Sequence, residues 1–179
     1  MSGIFVQMTG MSGAGKSTMT FKAASILREM GHNVEVIDGD EYRMGLCSDL
    51  GFSKQDRNTN IRRLSFVGKV LSRNDVICIM SAINPYDDVR KEVKENNTLA
   101  KTIFVKCDLN TLIERDPKGL YRRALLPETN PEHIPNFTGV SDPFEDPDDA
   151  DLIIETGLES VDTSVDTLVK YILENIGEN

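Results

Sequence analysis

One octapeptide constrains this chain more than any other stretch. Gly10-Met11-Ser12-Gly13-Ala14-Gly15-Lys16-Ser17 has the spacing G-x-x-x-x-G-K-[ST]. It follows a short apolar run, Ile4 to Met8, and precedes an amphipathic stretch in which Met19, Ala23, Leu27 and Met30 fall on one helical face. A strand, a glycine-rich turn and a helix in that order form a phosphate cradle. The glycines let successive backbone N–H groups point inward, and the helix adds the positive end of its dipole. Gly10, Ser12, Gly13, Ala14, Gly15, Lys16, Ser17 and Thr18 are therefore the candidate ATP-binding residues. Lys16 reaches the β and γ phosphates, and the Ser17 hydroxyl ligates a bridging Mg2+. The competing reading, a glycine-rich turn that matches by chance, does not need the flanking strand and helix.

The rest of the chain continues the alternation. Val34 to Ile37, Val76 to Met80, Ile103 to Val105 and Leu152 to Ile154 read as strands, and helical patterns cover Ile61 to Leu71, Asp87 to Glu95, Leu109 to Arg115 and Val161 to Ile176. Gly31 is a helix stop. The expected fold is α/β, a single P-loop kinase domain over residues 1–179. It has a five-stranded, mainly parallel sheet with helices on both faces, and ligands bind at the carboxyl ends of its strands. From Leu125 to Pro147 five prolines and little periodicity predict a surface loop, either a lid or an ordinary excursion.

Charge narrows the function. With 29 acidic against 20 basic residues the net charge is -9, which repels nucleic acid and anionic membranes, so an anionic ligand has to be caught locally. No basic-then-apolar leader and no membrane-length apolar run is present, which predicts a cytoplasmic protein. Cys47, Cys78 and Cys107 lack metal-ligand spacing, and Cys78 and Cys107 sit in apolar runs that suit core packing. A guanine-specific switch needs Asn or Thr before Lys-x-Asp after a late strand. Ser53-Lys54-Gln55-Asp56 has the wrong first residue and follows Gly51-Phe52. Motor and transporter ATPases end an apolar strand in a carboxylate, whereas Val76 to Met80 ends in Ser81-Ala82.

The carboxylates follow the second strand instead, in Asp38-Gly39-Asp40. At the same sheet edge as the phosphate cradle, one can orient the metal's water shell and the other can accept a hydrogen bond from an attacking hydroxyl. The alternative is a turn that merely closes the strand. Arg43, Arg57, Arg62 and Arg63 with Asn60 form the densest basic region; Arg62 and Arg63 cannot face the same way on a helix, so at least one pairs elsewhere. Phe52 and Phe137 each lie in loop-like sequence and either stack on a base or anchor the core.

Several blocks together resemble the adenylylsulfate kinase family, across nearly the whole chain. They are the P-loop, Asp38-Gly39-Asp40 with Arg43 and Gly45-Leu46, Asp49-Leu50-Gly51-Phe52-Ser53, Asp56-Arg57, and Asn60-Ile61-Arg62-Arg63. Arg115-Asp116-Pro117-Lys118-Gly119-Leu120-Tyr121 and Phe137-Thr138-Gly139 with Asp142-Pro143 follow in the same order. The resemblance implies transfer of the ATP γ-phosphoryl group to the 3'-hydroxyl of adenylylsulfate, with Mg2+. It implies Asp40 at the acceptor hydroxyl, with Lys16 as its catalytic partner, and Ser17 and Asp38 at the metal. It makes Arg43, Arg57, Asn60, Ile83, Asn84 and Lys118 substrate contacts, Phe52 and Phe137 an adenine sandwich, and the segment 118–147 a lid. A homodimer is a further expectation of the resemblance. Three departures stand out. Asn84 replaces a serine that many relatives carry, which excludes phosphoserine there and leaves direct in-line transfer. Pro135 replaces a frequent lysine in a lengthened loop, and Thr59 replaces a common glutamate. The alternatives are a P-loop kinase with a different nucleotide acceptor and an ATP-binding regulatory module without turnover.

Overall fold

A computed structural model describes residues 3–177, so the terminal residues of the predicted 1–179 domain lie outside the described residues. β1 (Ile4–Thr9), β2 (Val34–Asp38), β3 (Ile77–Ser81), β4 (Ala100–Lys106) and β5 (Leu152–Glu155) form one sheet in the order β2-β3-β1-β4-β5. Every neighbouring pair is parallel, so the sheet is wholly rather than mainly parallel. The helices are α1 (Lys16–Glu29), α2 (Gly39–Met44), α3 (Lys54–Ser72), α4 (Asp87–Asn96), α5 (Leu109–Arg115), α6 (Leu120–Ala124) and α7 (Val161–Asn175).

Alternation along β1 sorts the core into two layers. Ile4, Val6 and Met8 join Ala23, Leu27, Leu168 and Ile172 beneath α1 and α7, and Leu112 and Tyr121 of α5 and α6 extend that layer. Phe5 faces the other way, into Ile61, Leu64, Val89 and Val93 beneath α3 and α4. With both faces covered, the strands need apolar residues throughout, which explains their unbroken hydrophobic runs. All three cysteines are buried and free.

Local chemistry explains where the elements depart from expectation. α3 begins at Lys54, ahead of the apolar pattern that announces it, because the Ser53 hydroxyl caps it by accepting from Asp56 N at 3.1 Å. The short α2 starts directly after β2 because the Asp38 carboxylate accepts from Asp40 N at 3.0 Å. Met30 is 54% exposed rather than packed with Leu27, since α1 ends there and Gly31 turns the chain at φ 90°. Residues 125–147 hold no helix or strand, as the prolines predict. Arg62 and Arg63 both pair with acids, Glu92 at 2.7 Å and Asp49 at 2.5 Å.

α3 approaches the sheet closely where Gly68 meets β1: a Cβ there would lie 2.2 Å from the Phe5 ring. Gly68→Ala is expected to destabilise the protein by about 1–3 kcal/mol in urea unfolding through overpacking, despite the roughly 1 kcal/mol helix-propensity gain of Ala over Gly. An unchanged or raised midpoint would show that α3 can move away from the strand without cost.

Candidate active site

The sheet order turns at β1, and the parallel register brings the carboxyl ends of β1, β2 and β3 together: Met8 and Asp38 both pair with Ser81. The cradle leaves β1 at Gly10, whose N–H donates to Ile83 O at 3.1 Å. Gly13 and Gly15 take φ 77° and 96°, a region that side-chain-bearing residues rarely adopt, so the loop's tight path depends on them. Two hydrogen bonds to loop carbonyls hold the loop from behind: Tyr121 OH donates to Ser12 O and Thr156 Oγ1 to Ala14 O, each at 2.8 Å.

Lys16 opens α1, and its side chain is buried. Its ammonium folds back onto the loop, donating to Gly10 O at 2.7 Å and Met11 O at 2.8 Å. Burial lowers its pKa to about 8; the carboxylate of Asp40 pushes the other way, Lys118 adds to the lowering, and Asp38 opposes it.

Beside it, Ser17 Oγ donates to Asp38 Oδ2 at 2.9 Å and lies 3.3 Å from Ser81 Oγ. An all-oxygen set of two hydroxyls and one carboxylate at an open edge suits a hard cation that keeps most of its water, so these residues fit Mg2+. Asp40 sits in the first turn of α2, well exposed, and its Oδ2 accepts from Lys118 Nζ at 2.9 Å. Asp38 and Asp40 thus divide their work: one caps α2 and meets Ser17, while the other faces the cleft.

The cleft measures about 570 Å³. It is lined by Ser12, Gly13, Gly15, Lys16, Ser17 and Thr18 of the cradle and by Asp38, Asp40, Arg43, Phe52, Arg57, Asn60, Ile83, Asn84 and Lys118. Gly10 and Ala14 support the loop from beneath without lining the cleft. Phe52 is 62% exposed, with the Arg43 guanidinium 4.4 Å from its ring centre. Arg43 also donates to Gly51 O at 2.8 Å. Arg57 ties loops together, donating to Phe52 O at 2.9 Å, Thr138 Oγ1 at 2.7 Å and Asn136 O at 2.6 Å. Asn60 is buried in α3 with its Oδ1 unpartnered.

Phe137 is the candidate that the structure does not bring to the cleft. It is only 9% exposed and packs edge-on against Tyr121 at 5.0 Å inside the α1 and α7 layer. Much of the expected lid is also fastened down, since Tyr86 OH donates to Asp142 Oδ2 at 2.8 Å and Glu145 N to Pro85 O at 2.9 Å. Sequence reasoning missed Ser81, Thr9 and Gln7. Gln7 had a signal, being the one polar residue inside the run Ile4 to Met8.

Fold and cleft together define a P-loop kinase: a parallel α/β sheet with a phosphate cradle facing a carboxylate and a nucleotide-sized cleft. Comparison with known proteins makes the class specific. The Adenylylsulphate kinase family profile matches residues 2–155, and the chain belongs to that family. It is 45% identical over 175 residues to the adenylyl-sulfate kinase of Rippkaea orientalis, covering 98% of this chain and 93% of that one. It is also 45% identical to the adenylyl-sulfate kinase of Chloroflexus aurantiacus, covering 94% and 88% respectively. The Mycobacterium tuberculosis APS kinase CysC, solved in complex with AMPPNP and APS, superposes with a TM-score of 0.87 at 34% identity, covering 97% of this chain and 98% of that one.

Two outcomes are expected from this geometry. With the Lys16 pKa near 8, the free protein carries a charged ammonium below that pH and must take up a proton to bind ATP above it. The ATP dissociation constant is expected to rise about tenfold between roughly pH 7 and pH 9. Calorimetry near pH 9 in buffers of different ionisation heat should register uptake approaching one proton; a pH-independent affinity would contradict the lowered pKa. Phe137→Ala should cost about 3 kcal/mol or more of stability, while Phe52→Ala should cost under about 1 kcal/mol, both read by urea unfolding. Equal small losses would place Phe137 outside the core.

Proposed function

We propose that this protein is an adenylylsulfate kinase, moving the γ-phosphoryl group of ATP onto the 3'-hydroxyl of adenylylsulfate to give 3'-phosphoadenylylsulfate and ADP. One observation carries the reading beyond family membership. The phosphate cradle and Asp40 line one cleft, which Phe52, flanked by Arg43 and Arg57, also lines. An aromatic face and guanidinium forks suit a purine nucleotide with an anionic group.

Asp40 accepts a hydrogen bond from the acceptor hydroxyl and holds its oxygen in line with the γ phosphorus. That oxygen bonds to phosphorus as the bond to the β–γ bridging oxygen breaks, and the hydroxyl proton passes to Asp40. Lys16 leaves its two loop carbonyls for the phosphoryl oxygens and follows the charge that develops on them. Lys118, paired with Asp40 in the free protein, exchanges that carboxylate for phosphate oxygens when the site fills. Ser17 and Asp38 would hold Mg2+, which would neutralise part of the phosphate charge. A second reading, a kinase of a different nucleotide, is favoured by the withdrawal of Phe137 into the core, which leaves the adenine sandwich with one ring in the cleft.

ADP release from Mg-ATP with adenylylsulfate, AMP or cytidine nucleotides as acceptor separates these readings. Selective stimulation by adenylylsulfate is expected; stimulation by another nucleotide alone would replace the substrate, and no stimulation by any would leave an ATP-binding module. Asp40→Asn should lower turnover by about 10²-fold or more with ATP affinity little changed. Wild-type turnover in that variant would remove Asp40 from the mechanism.

A further inference from the structure

The largest fully buried side chain in the described structure is a charged one, Arg90 of α4, at 0% exposure. It lines no cavity described above. Its fork joins two segments far apart in sequence: Nη1 donates to Asn84 O at 2.7 Å, and Nη2 donates to Glu145 O at 2.5 Å and to Asp87 Oδ1 at 3.1 Å. Among the described residues one carboxylate pairs with the buried charge, the Phe144 ring lies 5.9 Å from Cζ, and Nε has no hydrogen-bond partner. A guanidinium so placed is costly as mere filling, and an apolar side chain of similar volume would pack there more cheaply. What only the rigid fork supplies is simultaneous capture of two carbonyls, one from the cleft wall and one from Glu145 near the end of the 118–147 segment.

The α4 backbone at the same position supports the wall as well, whatever side chain stands there. The Arg90 carbonyl accepts from Gln7 Nε2 at 3.0 Å, which fixes the amide of Gln7. Gln7 Oε1 is then the atom that accepts from Asn84 Nδ2, at 3.2 Å. Asn84 is thereby locked in a left-handed conformation, φ 47°, with its Oδ1 buried and unpaired beside the cleft. Thr9 Oγ1 completes the clasp, within 3.0 Å of Ile83 O and 2.9 Å of Asn84 O.

We propose that Arg90 is a positioning residue that sets acceptor affinity: through Asn84 O its guanidinium fixes the Ile83–Asn84 wall against which the acceptor nucleotide binds, and it rivets that wall to Glu145. The role rests on the reading of the cleft as a nucleotide kinase site. It predicts a larger effect on the acceptor than on ATP, because Tyr121 and Thr156 hold the cradle at Ser12 and Ala14, beyond its link to the wall at Gly10 N and Ile83 O.

The test compares wild-type, Arg90→Met and Arg90→Lys in steady-state kinetics with ATP and adenylylsulfate, together with amide hydrogen exchange. Arg90→Met should raise KM for adenylylsulfate about tenfold with KM for ATP within about twofold, and Arg90→Lys should recover part of the loss. Exchange over residues 83–87 and 142–146, and at Gly10 N, which bonds Ile83 O, should accelerate in Arg90→Met while residues 12–18 keep wild-type protection. Equal changes in both KM values, or none, in a folded variant would overturn the proposal. If Arg90→Met does not fold, Thr9→Val carries the same comparison by removing one hydroxyl from the clasp. A selective rise of about threefold in the acceptor KM supports the role, and no rise refutes it. Wild-type protein inactive on adenylylsulfate would sink the functional reading instead, and the exchange comparison would then decide the rivet alone.

Discussion

The parallel register of β2, β3 and β1 is the constraint on which the rest depends. Because Asp38 and Met8 pair with the same residue, Ser81, the chain must leave three neighbouring strands at one edge. There the cradle, the Asp38 cap of α2 and the Ile83–Asn84 wall lie within hydrogen-bond reach of one another. Each contact doubles as structure and chemistry. Asp38 starts a helix and accepts from the Ser17 hydroxyl; Gly10 N closes the loop onto Ile83 O. A shift of one residue in β3 would turn every core side chain of that strand to the opposite face, so this edge is protected by the whole hydrophobic core.

Electrostatics then decide what enters. The net charge of -9 repels anions at long range, while Lys16, Arg43, Arg57 and Lys118 converge on one cleft. Lys16 is buried, which lowers its pKa to about 8, and its ammonium rests on two loop carbonyls. Lys118 compensates the exposed Asp40 carboxylate.

The strands and the cradle were legible in the sequence because apolar runs and glycine spacing are local signals. Asp38 and Asp40 were legible by topology, since a parallel sheet leaves little choice of edge. What escaped depends on contacts between distant segments. Nothing in Asp87-Asp88-Val89-Arg90 distinguishes a solvent arginine from one fully buried against Glu145 O. Phe137 offered two roles that local sequence could not separate, and the structure seats it on Tyr121 because the strap around it is tied to Arg57 and Tyr86. Met30 misled because its helical spacing was correct but its helix had already ended.

The position of the transferred phosphate tests the central claim most directly. Phosphorus NMR of the product formed from Mg-ATP and adenylylsulfate is expected to show one new monoester resonance coupled to the ribose H3' proton, with ADP appearing in equal amount. Inorganic phosphate without that resonance, or a monoester at any other position, would contradict the account of Asp40 and Lys16 acting across a shared cleft.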